Sequence, residues 1–311
     1  MAAKALIIEV RVNEWARREQ IGKVPLPYSP HVPYSAEEIA SDAAECVKAG
    51  ASLIHYHTRE SNGGKSMAPG PYRKATRLIK EETRALVMPT LGMDNLGPDE
   101  RMKNLTEMKN AGDVMPDMVP IDVISCNMDL YDSRTRTFTD YSKNPDGSPS
   151  KEGNELYQNS PVTWQELATK IRELGMKPVP ILWDIGSSRS TKALVEMGLL
   201  APPLFCEVAL TEGGLLSGHP GTKEGLKAHL DFFPYNDWLW TVLVWGASLL
   251  GLAEEVIRKG GHISIGLGDY GYPELGSPTN ASLVKAVAKI ARDVGRPVAT
   301  PDRAREMLAI K

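Results

Sequence analysis

The 311-residue sequence has only three cysteines, Cys46, Cys126 and Cys206, far apart and odd in number. That spacing excludes a disulfide framework and the close cysteine pairs of a zinc cluster or redox motif, and it points to a reducing compartment. Long apolar runs are also missing. The longest, Trp238 to Leu252, has 15 residues, short of the roughly 18–20 that cross a bilayer. It contains Trp238, Trp240, Trp245, Gly246 and Ser248, and reads as a buried strand over Leu239–Val244 running into a helix. Met1 to Val10 has one lysine and no small-residue cleavage site, so it reads as a first strand rather than a leader. Excess positive charge is lacking too: a net charge of -3 and a pI near 6.1 give no support to nucleic acid as a partner. No dinucleotide fingerprint, Walker loop or nucleophile elbow stands at a strand–helix junction. A cytoplasmic protein acting on a small molecule, with no membrane or nucleic-acid partner, is the expectation.

What is present is an alternation of short apolar runs with amphipathic segments from end to end. The strands expected are Leu6–Val12, Ser52–Thr58, Leu86–Thr90, Val119–Ser125, Val179–Asp184, Leu204–Leu210, Leu239–Val244 and His262–Leu267. Ser35-Ala-Glu-Glu38 is a capping-box signal, after which Ile39, Ala43 and Val47 line one helix face and Gly50 stops it. Further helices are expected at Tyr72–Arg84, Asp99–Ala111, Thr163–Gly175, Arg189–Met197, Ser248–Gly260 and Thr279–Val294. Eight strands each followed by a helix or long connection predict an α/β fold, a single (β/α)8 TIM barrel over residues 1–311. A doubly wound open sheet is the second architecture. An irregular polar insertion at about 131–160 and the glycine-rich Gly213–Thr222 break the rhythm, and loops of that kind after strands build barrel active sites.

The sharpest chemical feature is Ile54-His-Tyr-His-Thr-Arg59. Side chains at i and i+2 of a strand share a face, so His55 and His57 converge, either as ligands of a borderline metal such as zinc or as a hydrogen-bonded core pair. Asp269 closes the last strand, where a carboxylate acts as base or ligand, or simply forms a turn. Glu9 and Arg11 share a face of the first strand, and charges inside an apolar strand need a metal, a ligand or each other. Thr90, Ser125 with Asn127, Asp184 and His219 are polar residues at expected strand ends, for which capping and loop duty compete with catalysis.

Together these segments resemble the β-keto acid cleavage enzyme family. The resemblance runs through Pro33-Tyr-Ser-Ala-Glu-Glu-Ile39, Ala49 to Arg59, Gly260 to Asp269, Asn280-Ala-Ser-Leu-Val284 and Gly295-Arg-Pro-Val-Ala-Thr-Pro301. It implies a Zn2+-dependent (or other divalent metal) barrel, a homo-oligomer (tetramer or dimer), with acetyl-CoA as co-substrate and acetoacetate as a product. By that resemblance His55 and His57 bind the metal, Asp269 is the base, Glu14 touches substrate, and Thr90 and Ser125 fall near assisting hydroxyls. The family's last-strand arginine and metal-binding glutamate are replaced by Ser264 and Gly268. Since the last strand of a barrel neighbours the first, Glu9 is expected as the third metal ligand and Arg11 as the substitute arginine. A metal-dependent hydrolase or aldolase-like lyase without CoA, or a metal-free binding protein, are the competing functions. The side chain of the keto acid is not specified.

Overall fold

The computed structural model describes residues 5–13, 29–59, 66, 68–92, 96–138, 156–234 and 237–310. The eight principal strands are β1 (Ile8–Arg11), β2 (Leu53–Tyr56), β3 (Leu86–Pro89), β4 (Met118–Asp122), β5 (Lys177–Leu182), β6 (Phe205–Thr211), β7 (Leu239–Trp245) and β8 (His262–Ile265). Every ladder among them is parallel, in the order β3-β2-β1-β8-β7-β6-β5-β4. At the remaining seam the Asp117 amide donates to Val87 O at 2.9 Å, and the Val87 amide donates to Asp117 Oδ2 at 2.9 Å. The sheet therefore curls into a nearly closed barrel rather than the open, doubly wound alternative.

Strand alternation sorts the side chains. Ile8, Val10, Ile54 and Val87 point outward under the helices, whereas Ile7, Leu53, Leu86, Val179, Phe205 and Leu239 fill the interior. The helices are α1 (Ala36–Ala49), α2 (Pro69–Glu82), α3 (Pro98–Ala111), α4 (Pro161–Glu173), α5 (Ile185–Glu196), α6 (Lys223–Asp231), α7 (Leu250–Arg258), α8 (Asn280–Asp293) and α9 (Pro301–Met307). The capping box opens α1 as expected: Ser35 Oγ accepts from the Glu38 amide, and Glu38 Oε2 accepts from the Ser35 amide. No helix among the described residues is long and apolar enough to cross a membrane.

Two helices were not expected. α6 buries only Gly225, Leu226 and His229, too few apolar positions to show a period. α9 is seven residues long, yet its Ala304, with Leu308 just beyond it, joins the barrel's inner apolar cluster beside Leu53, Leu86 and Phe205. This plugs the N-terminal end of the barrel, so polar chemistry is left to the opposite mouth, where the strands end.

The insertion is tied to that mouth. Leu156–Tyr157 pairs antiparallel with Cys126–Asn127, and Tyr131–Asp132 with Thr137–Phe138. Buried Arg101 donates from Nη1 to Asn159 Oδ1 at 2.6 Å and from Nη2 to Tyr157 Oη at 3.0 Å. Tyr157 Oη in turn donates to Asp122 Oδ2 at 2.8 Å, and Trp183 Nε1 to Asp122 Oδ1 at 2.8 Å. A buried guanidinium is costly unless its hydrogen bonds are met. Here both Nη groups are paired, and with the Asp122 bonds they tie the returning segment to the end of β4.

Candidate active site

Register decides what meets at the mouth of the barrel. Arg11 lies opposite His55 across the β1–β2 ladder, while Glu9 lies one pair deeper, opposite Leu53 on one side and Ser264 on the other. His55 and His57, both buried, converge so that their Nε2 atoms stand 3.1 Å apart. Two zinc-bound imidazole nitrogens at about 2.0–2.1 Å from a tetrahedral ion would be about 3.3 Å apart, so the pair fits a shared metal. Burial, then the charge of Arg11 and the neighbouring His57, push His55 well below the ordinary histidine range. It is held neutral, the form that ligates metals. His57 is fixed by its own peptide: its amide donates to Asn13 Oδ1 at 2.7 Å, and Asn13 Nδ2 donates back to His57 O at 3.0 Å and to Pro33 O at 2.9 Å.

The acidic side of the site gathers around Arg11. Its Nε donates to Asp269 Oδ1 at 2.8 Å, and its Nη1 lies 3.4 Å from Glu207 Oε2 and 3.9 Å from Glu9 Oε1. Glu9 is fully buried, and its carboxyl faces that of Glu207. Burial first, then Glu207, push Glu9 well above the usual carboxylate range; Arg11 opposes this in part. The expected union of Glu9 with the two histidines is not what the fold builds. Among the described residues no three His, Cys, Asp or Glu groups have the spacing to hold a metal ion. The reason is the period of the strand: the residue of β1 level with His55 is Arg11, and Glu9 falls a layer below.

The absence of a glutamate at 268 has a backbone cause. The Gly268 amide donates to Arg11 O at 3.0 Å, and a Cβ at this position would stand 2.7 Å from Asn13 O and 3.0 Å from Arg11 O. At Gly266 a Cβ would come within contact of the Arg11 backbone. The end of β8 thus lies flush against β1, leaving no room for a side chain. Gly268→Ala is expected to cost roughly 1–3 kcal/mol, the usual scale of overpacking. Because it presses on Asn13, which clamps His57, it should also loosen the histidine pair. Chemical denaturation with parallel metal titration checks this; unchanged stability and affinity would show that the close approach relaxes freely.

The other expected residues have these positions. Thr90 ends β3, buried, and its Oγ1 accepts from the Gly92 amide at 2.9 Å. Ser125 Oγ donates to Asn159 O at 3.0 Å and accepts from the Asn159 amide at 2.8 Å, so its hydroxyl secures the insertion. Asn127 O accepts from Ser217 Oγ at 2.6 Å, joining the insertion to the glycine-rich loop. Asp184 caps α5, its Oδ1 accepting from the Ser187 amide at 2.6 Å. His219 pairs with the end of β6 and packs edge-on against His229 of α6, ring centroids 4.7 Å apart. Glu14 lies outside the described residues. Two participants were missed: Asn13, an ordinary polar residue at a strand end, and Glu207. For Glu207 the signal existed, since Phe205–Thr211 is apolar but for one carboxylate and a terminal threonine, the same anomaly that singled out Glu9.

The sequence model of the β-keto acid cleavage enzymes matches residues 8–310. The chain belongs to this family. It is 27% identical to the 3-keto-5-aminohexanoate cleavage enzyme of Fusobacterium nucleatum, over 93% of this chain and 94% of that one. It is 24% identical to the 3,5-dioxohexanoate:acetyl-CoA acetone transferase of Paraburkholderia graminis, covering 91% of each. Among solved structures, ObcA in binary complex with oxaloacetate superposes with a TM-score of 0.65 at 13% identity, over 90% of this chain and 68% of that one. At that identity the likeness speaks for the barrel fold alone.

Proposed function

We propose that this family member condenses a β-keto acid with acetyl-CoA and cleaves the adduct to acetoacetate and a new acyl-CoA. The observation that carries the reading is the convergence of His55 and His57 Nε2 at 3.1 Å on β2, one strand from the Arg11–Asp269 contact. Membership of the β-keto acid cleavage enzymes supports it, as does a relative whose name specifies acetyl-CoA. His55 and His57 would hold Zn2+ or another divalent ion, which when bound supplies Lewis-acid stabilisation of the charge that collects on the keto oxygen.

Asp269 takes the C2 proton of the keto acid, and the resulting carbanion attacks the thioester carbonyl of acetyl-CoA, expelling the CoA thiolate. The thiolate then adds to the original ketone, and the bond from that carbon to C2 breaks. The electron pair returns to C2 of acetoacetate, where Asp269 replaces the proton. Arg11 holds Asp269 in place through Nε. Thr90, on the strand beside the histidines, and Glu14 are proposed substrate contacts. Leu53 and Leu86, level with Glu9 beneath the histidines, and Phe205 deeper in the barrel close the floor of the site against bulk water, which protects the thioester from hydrolysis. A cytosolic homo-oligomer fits this chemistry and the three free cysteines.

Chromatography of CoA esters during incubation with a panel of β-keto acids tests the proposal. Metal-loaded protein is expected to convert acetyl-CoA to a different acyl-CoA with at least one keto acid. Acetyl-CoA left intact across the panel contradicts it.

A further inference from the structure

The interior of the barrel beneath Asp269 holds a polar layer that the reaction above does not use. Glu9 on β1 is level with Ser264 on β8, and Glu207 on β6 is level with Thr241 on β7. All four are fully buried. Neither oxygen of Glu9, nor Glu207 Oε1, Ser264 Oγ or Thr241 Oγ1, has a hydrogen-bond partner among the described residues. The charged groups facing Glu9 are Glu207, Arg11 and Asp269, and the nearest Arg11 nitrogen is 3.9 Å away. That is ion-pair distance, beyond a hydrogen bond. Two facing carboxyls that share one guanidinium, which reaches Glu207 at 3.4 Å but Glu9 only at 3.9 Å, repel each other if both are charged; a proton between them removes the repulsion and gives Glu9 a partner.

We propose that Glu9 is a positioning residue: as a neutral carboxyl it donates a hydrogen bond to Glu207, and the pair anchors Arg11 so that its Nε–H holds Asp269 at the mouth of the barrel. Arg11 spans the two, reaching Glu207 through Nη1 at 3.4 Å and Asp269 through Nε at 2.8 Å. A long guanidinium side chain held at one end only would sample other rotamers; held at both, it presents one N–H to one oxygen. The histidine pair stands apart from this proton, since the side chains that act on His55 are Arg11 and His57 and not Glu9.

The role in turnover rests on the proposed function; the shared proton does not, and the two are tested separately. Infrared spectroscopy of the substrate-free protein at neutral pH is expected to show the C=O stretch of a buried protonated carboxyl, which Glu9→Gln removes. A wild-type protein without that band overturns the proposal whatever the reaction is. In turnover, Glu9→Leu is expected to lower kcat by about 10- to 100-fold, the scale of a lost supporting partner, with KM for acetyl-CoA and metal content unchanged. Glu9→Gln, whose amide still donates to Glu207, is expected to recover most of the loss. If Glu9→Leu turns over like wild type, Glu9 only fills space. If Glu9→Gln is as impaired as Glu9→Leu, or sheds metal, a charged Glu9 is required and the neutral assignment is wrong.

Discussion

Replacing both His55 and His57 with alanine is expected to empty the protein of divalent metal and reduce turnover by more than 100-fold. The lower bound follows from scale: partners that merely orient a ligand cost roughly 10- to 100-fold, so loss of the ligands themselves exceeds that. The barrel should survive. The apolar contacts of β2 are carried by Leu53 in the interior and by Ile54 and Tyr56 beneath the helices, none of which the double substitution touches. Its ladders to β1 and β3 are backbone hydrogen bonds. Elemental analysis should give about one metal per wild-type chain and almost none in the double mutant, with matching circular dichroism. Full turnover by a demonstrably metal-free wild-type preparation would refute the metal's role.

Asp269→Asn carries the second large effect. The amide oxygen can still accept from Arg11 Nε, now at 2.8 Å from Asp269 Oδ1, so shape and anchoring persist while the proposed base is lost. Turnover is expected to fall by at least about 100-fold, the lower scale for a positioned base, with metal content unchanged. Exchange of the C2 protons of the keto acid with deuterated solvent should slow in parallel. Exchange at the wild-type rate would reduce Asp269 to the turn it also makes, where its amide donates to Gly266 O at 3.3 Å and its O accepts from the Gly246 amide.

The barrel was legible because its strands are short, apolar and regularly punctuated. Each of the eight expected runs overlaps an observed strand, and ends differ by at most a few residues, as at Val119–Ser125 against Met118–Asp122. The pairing of His55 with His57 followed from the period of two, and the nearness of the first and last strands from closure, so Arg11 meets Asp269 across that seam. What the period alone did not reveal was depth. Glu9 and Arg11 share a face, but one layer separates them, and the layer level with His55 belongs to Arg11. Depth depends on register between strands distant in sequence, as does the partnership of Glu9 with Glu207. Gly268 likewise reads as a lost ligand in sequence; only the approach of β1 shows why no side chain fits there.

Following labelled acetyl-CoA tests the account most directly. With both carbons of the acetyl group labelled and an unlabelled β-keto acid that serves as substrate, the account predicts label at C3 and C4 of acetoacetate, none at C1 and C2, and an unlabelled acyl-CoA. Label remaining in acetyl-CoA while the keto acid is cleaved to acetate and a free acid would contradict it, and would place the protein with hydrolases that make no use of CoA.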